Sequence, residues 1–142
     1  MSSKSYFFHL SSNDCKEIYP SNIPSSFVVD LPIPLSLFGN WEIGLTDITF
    51  DNDFIEDPKE LYLCLDIIDS SYVQGALVKA LQRISMPNNT SDKIINYFPF
   101  VNFMSITTNY LNSFQVKLLS ENLEEATFKK GNLYCTLHLR KC

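Results

Sequence analysis

The chain has 142 residues, 45% of them hydrophobic and 13% aromatic, which is apolar surface enough to offset the ordering entropy of one folded domain and too little chain for two ordinary ones. Its formal charge of −5 lacks the basic footprint that phosphate backbones reward with counterion release, so direct nucleic-acid binding is not expected. No run of about eighteen apolar residues could cross a membrane as a helix, and Lys4, His9, Asp14 and Lys16 stand where a secretory signal would be apolar, so neither a membrane nor the secretory route is expected.

Residues 5–10 alternate Tyr6, Phe8 and Leu10 on one face, which predicts a first strand, and the polar residues 11–26 predict the loop after it. Residues 27–37 carry the clearest period of two, with Phe27, Val29, Leu31, Ile33, Leu35 and Leu37 on one side. Pro32 and Pro34 share the other side, and because proline donates nothing to a ladder, the second half must lie at a sheet edge or leave the sheet. After a turn at 38–40, Trp41, Ile43 and Leu45 point inward, and the apolar set then shifts register to Ile48 and Phe50, which predicts a bulge near Thr46 and Asp47. Residues 51–60 read as a loop closed by Pro58, and 61–67 as a fourth strand.

Residues 72–86 are ambiguous: Val73, Leu77, Leu81 and Ile84 are spaced for a helix, while 80–85 also suits a strand. Residues 97–101 and 103–107 look extended, with Pro99 marking an edge, and 113–119 and 133–139 alternate cleanly on either side of a polar stretch. About eight short strands with at most one helix predict an all-β antiparallel sandwich or barrel, a single domain over residues 1–142.

The residue counts weigh against catalysis. Only His9 and His138 are present, too few for a cupin-type metal centre, and four glycines leave no phosphate cradle. His138 lies opposite Leu137 and Leu139 and is expected at the surface, whereas Cys135 falls in the apolar phase and is expected to be a buried thiol. The four cysteines stand singly, as reduced thiols would. Asp51, Asn52 and Asp53 could open a calcium loop, but Glu56 occupies the position that needs glycine and Tyr62 the one that needs glutamate, so no cofactor or metal is expected. Overlapping sequons at Asn88 and Asn89 read as a polar turn. The rings of Phe27, Trp41 and Phe114 follow core phase, leaving Tyr62, Tyr72, Tyr134 and Phe7 as candidate interface or edge covers.

Charge is unevenly spread. Residues 1–70 hold three bases and twelve acids, a net of −9, and residues 71–142 hold eight bases and four acids, a net of +4. Such halves suit a head-to-tail contact between identical subunits, with Asp51, Asp53, Glu56 and Asp57 of one copy facing Lys117, Lys129 or Lys130 of the next.

Tyr19-Pro20, then Phe27-Val28-Val29-Asp30-Leu31, then Leu37-Phe38-Gly39-Asn40-Trp41-Glu42-Ile43-Gly44-Leu45 resemble a family encoded by Maverick/Polinton-type elements and adintovirus-like viruses. The likeness continues through Leu65-Asp66-Ile67-Ile68-Asp69, Val73-Gln74-Gly75, Leu81-Gln82-Arg83-Ile84 and Phe128-Lys129-Lys130-Gly131-Asn132-Leu133. That resemblance implies an eight-stranded jelly roll, with 80–85 as a strand and any helix confined to 72–79. It also implies a penton-like minor capsid protein that forms a homo-oligomer, a pentamer, contacts a major capsid protein, and is assembled into the virion inside the host cell, in cytoplasm or nucleus. The competing expectation is a binding module of the same fold that recognises a carbohydrate or receptor through its loop ends, without catalysis.

Overall fold

A computed structural model describes residues 4–87 and 92–142, and all its regular structure is β. Among the described residues eleven strands are formed: β1 (Ser5–Ser11), β2 (Ser26–Ser36), β3 (Trp41–Asp51), β4 (Glu60–Leu65), β5 (Ser71–Val73), β6 (Ala76–Val78), β7 (Ala80–Ser85), β8 (Lys93–Tyr97), β9 (Phe103–Ser105), β10 (Tyr110–Ser120) and β11 (Leu133–Lys141). One sheet runs β1-β11-β3-β8, with β9 also on β3, and the other runs β2-β10-β4-β7. Leaving β5, β6 and β9 aside and numbering the rest one to eight along the chain, the sheets read 1-8-3-6 and 2-7-4-5, all pairs antiparallel. This is the jelly roll that the family resemblance implies, and one form of the antiparallel sandwich or barrel that the alternation predicts.

The alternating apolar residues explain the sandwich. Phe27 and Val29 of β2, Ile43, Leu45, Ile48 and Phe50 of β3, Leu61, Leu63 and Leu65 of β4, and Leu133, Cys135, Leu137 and Leu139 of β11 are buried in one cluster between the sheets. The contact of Phe8 with Phe114, ring centroids 5.8 Å apart, joins one layer to the other. The predicted register shift in β3 is a bulge: Asp47 pairs with Thr136 and Leu45 with Leu137, leaving Thr46 unpaired in that ladder. The Thr46 hydroxyl donates to the Thr136 carbonyl at 3.2 Å and occupies an acceptor the bulge would otherwise strand.

One open reading is decided and three expectations change. Residues 72–79, left ambiguous above, form no helix: Gln74 and Gly75 both take positive φ, 50° and 81°, as a two-residue hairpin turn requires, and β5 and β6 pair across them. Ile33 is 76% exposed instead of buried, because Pro32 and Pro34 lift residues 31–34 out of the β2–β10 ladder, which pairs Leu35 with Leu111 and resumes at Asp30 with Ser113. The strand expected at 97–101 lies earlier, as β8, and Pro99 falls in the bend that follows. Tyr62, expected to be exposed, is 8% exposed on the outer face of its sheet. The sequon turn at Asn88 and Asn89 lies outside the described residues.

Candidate subunit interface

An antiparallel jelly roll gathers alternate loops at opposite ends, and backbone hydrogen bonds show which loops meet. Ile55 donates to the Thr127 carbonyl at 2.9 Å, Lys129 to that of Asp53 at 2.7 Å, Asn52 to that of Asp92 at 2.8 Å, and Ser12 to that of Leu133 at 2.9 Å. One end is therefore built, among the described residues, from 12–25, 51–59, 86–87, 92–93 and 121–132. These segments carry ten acids and five bases, a net of −5, equal to the charge of the whole chain. At the other end Thr107 donates to the Ile67 carbonyl, Leu37 to that of Asn109 and Cys142 to that of Asn40.

The acidic loop is anchored rather than loose. Phe54 is buried, tilted against Phe128 at 4.3 Å and edge-on to Phe50 at 5.9 Å, and its backbone bridges to that of Phe128. Two aromatic residues inside otherwise polar stretches were the sequence sign of this anchor. Asp51 accepts a hydrogen bond from the Asn132 backbone N–H at 2.8 Å. Glu121 accepts from the N–H groups of Lys59 and Glu60 at 3.1 and 3.4 Å, and backbone donors, its own N–H first, hold its carboxyl below the usual range. Glu56 and Asp57 are exposed.

This placement divides the residues singled out by charge. Lys129 and Lys130 adjoin the acidic loop of their own chain, Lys130 lining one hollow with Asp51, Asp53 and Asp92. Lys117 follows a different course: next to Leu118, which bonds to Ser25 and Ala126, it is exposed on the outer face of the β2-β10-β4-β7 sheet, beside Cys64, and makes no ion pair among the described residues.

Over that outer face lies the β5–β6 hairpin, tied to the acidic end by the Gln74 side chain, which donates to the Glu121 carbonyl at 2.6 Å. It leaves a groove of about 310 Å³ between itself and β10, with Cys64 and Leu119 below and Leu77 and Val78 beside. Burial pushes the Cys64 thiol up to about 11 despite the opposing pull of Lys117. No sequence signal marks this groove, because residues 72–79 are ambiguous in the sequence and the hairpin that makes it is not read there.

The outer face of the other sheet holds both histidines. His9 faces the Thr136 hydroxyl at 3.3 Å. His138 points outward as expected but is not free at the surface: it stacks on Phe7 at 4.2 Å and meets the edge of Phe103 at 5.6 Å, and its Nε2 is buried without a partner. Burial, then Arg140, lower its pKa. Arg140 lies 3.5 Å over the Phe103 ring and donates to Glu42 at 2.7 Å. Among the described residues no three His, Cys, Asp or Glu side chains converge as metal ligands would.

These features define a jelly roll with one acidic loop end and an apolar, lysine-flanked groove on one sheet. Among solved structures the chain is similar to the mavirus penton protein, with a TM-score of 0.65 over 96% of this chain and 99% of that one, at 6% sequence identity. It also overlaps the infectious bursal disease virus VP2 subviral particle, at a TM-score of 0.30 and 12% identity, over 99% of this chain and 34% of that one. No protein-family model and no curated protein matches it.

Proposed function

We propose that the protein is a structural subunit of a viral capsid: a penton-like minor capsid protein that closes on itself as a ring of five, contacts a major capsid protein, and resides in the virion after assembly inside the host cell. The observation that carries this reading is the end-to-end correspondence with the mavirus penton protein, since each chain is spanned almost completely by the other. The role is structural rather than catalytic.

Charge supports a head-to-tail contact. The acidic end with Asp51, Asp53, Glu56 and Asp57 is one patch, and the face around Lys117 is the other, while Lys129, bonded through its backbone to Asp53, and Lys130, in a hollow with Asp51 and Asp53, lie beside the acidic loop of their own chain. The opposite end offers apolar contact surface for the major capsid protein, with Ile33, Phe38 and Tyr110 all exposed. Light scattering behind a sizing column, over a range of concentrations at low and moderate salt, tests the ring. A fivefold mass supports it. A monomer at every concentration that binds a glycan or receptor would instead favour a jelly-roll binding module.

A further inference from the structure

The groove under the β5–β6 hairpin is a built feature. Its hairpin wall is held at the tip by Gln74 on the Glu121 carbonyl, and at the base by the Lys79 ammonium, which donates to the Asp66 carbonyl at 2.9 Å. The floor of Cys64 and Leu119 and the wall of Leu77 and Val78 are apolar, yet Leu77 is 64% exposed. Lys79 and Lys117 flank it. At about 310 Å³ it falls at the bottom of the range for small-molecule sites, the size for one or two side chains.

The acidic end presents the complementary shape. Ile55 is 61% exposed although its backbone is fixed to Thr127 and the preceding Phe54 is buried. Glu56, Glu124 and Glu125 line the same hollow as Ile55. Glu125 accepts a hydrogen bond from Ser25, while Glu56 and Glu124 are exposed. An apolar side chain on a rigid base, ringed by carboxylates, matches an apolar groove flanked by ammonium groups.

We infer that Ile55 of one copy seats in the β5–β6 groove of the next, with Glu56 and Glu124 facing Lys79 and Lys117. The inference rests on the self-assembly proposed above and names the contact that drives it. Because knob and groove are different patches of one chain, the contact is heterologous: each copy donates one and receives one, and the series closes into a ring if the rotation fits.

The test uses the full chain and two surface substitutions, Ile55→Asp for the knob and Lys117→Glu for the groove, with Leu77→Asp as a second groove variant. Thermal midpoints within a few degrees of the parent confirm folding. Each variant alone is expected to raise the concentration needed for assembly at least tenfold. An equimolar mixture of Ile55→Asp and Lys117→Glu is expected to form a dimer that neither forms alone, since the first retains a sound groove and the second a sound knob. If the parent assembles and all three variants assemble at the same concentration, the docking is overturned while self-assembly stands. A parent that stays monomeric at every concentration overturns both.

Discussion

Gly44 lies in the stretch Trp41-Glu42-Ile43-Gly44-Leu45, and the reason for glycine there is space. Its backbone is ordinary strand, but β9 crosses it closely, with Gly44 paired to Phe103. A Cβ at this position would lie 2.3 Å from Val101 Cγ1, 2.9 Å from the Asn102 carbonyl oxygen and 3.3 Å from Phe103 Cδ1. Comfortable carbon contacts begin near 3.5 Å, so Gly44→Ala must push residues 101–103 outward by about 1.2 Å. One obstacle is backbone and another a stiff β-branched side chain, and the Asn102 side chain is itself bonded to the Leu81 carbonyl at 3.2 Å, so relief by rotation is poor. Overpacking of this kind costs about 1–3 kcal/mol. Lifting Phe103 from beneath Arg140 adds roughly 0.5–1 kcal/mol. The expected loss is therefore about 1.5–4 kcal/mol against a typical total of roughly 5–15. At roughly 3.5 °C per kcal/mol for a chain of this size, the midpoint falls by about 5–14 °C. Urea unfolding followed by the single tryptophan, Trp41, buried beside Tyr6, gives the readout. In the double variant Gly44→Ala/Val101→Ala the 2.3 Å contact is gone, and a coupling of at least about 0.5 kcal/mol is expected. A Gly44→Ala protein within about 0.5 kcal/mol of the parent, or no coupling, would refute the reasoning.

Three further predictions concern other parts of the molecule. Phe54→Ala empties a buried position against Phe50 and Phe128 and is expected to cost about 3–5 kcal/mol in the same urea assay, whereas Ile55→Ala next to it should stay within about 0.5. His138, held between Phe7 and Phe103 with Arg140 on its own strand and Glu42 on β3 paired to that arginine, binds its proton more weakly folded than unfolded. Its contribution is thus full above about pH 6.5 and is lost as pH falls toward the lowered folded pKa, so His138→Phe should show a shallower fall in thermal midpoint between pH 7 and 5 than the parent; equal slopes would exclude the histidine. With a thiol-reactive disulfide at pH 8, the exposed Cys142 should react at once, and Cys64 and Cys135, pushed up to about 11 and about 12 by burial, only on unfolding; four fast thiols would contradict this.

The strand lattice was legible because its cause is local. Every inward residue from Trp41 to Phe50, and the bulge at Thr46, could be read from a period of two and one break in it. What stayed hidden depends on contacts distant in sequence. Leu77, Leu81 and Ile84 match a helical face, and only the positive φ at Gln74 and Gly75 together with the ladder of β7 on β4 decides against it. Tyr62 falls out of core phase, yet the outer face it occupies is covered, so phase alone misjudged its burial. Likewise Lys129 and Lys130 were grouped with Lys117 by charge, and only the pairing of the 51–59 and 121–132 loops shows that the first two adjoin the acidic residues they were expected to meet in a neighbour.

The same division explains how a chain 6% identical to the mavirus penton protein shares its fold over nearly its whole length. A sandwich core asks for apolar side chains at alternate positions and for roughly conserved volume, and many sequences meet that demand. Assembly asks for more, because a heterologous contact must match two different patches in shape and charge at once. In this chain the candidates for those patches lie outside the two sheets' shared interior, one on a loop anchored by Phe54 and the other under a hairpin that the eight-strand jelly roll does not need. A short hairpin bonded at both tip and base, over a sheet face already paired along its ladder, adds little to the core. Its effect is to turn an outer sheet face into a groove, which is the shape that the proposed contact requires.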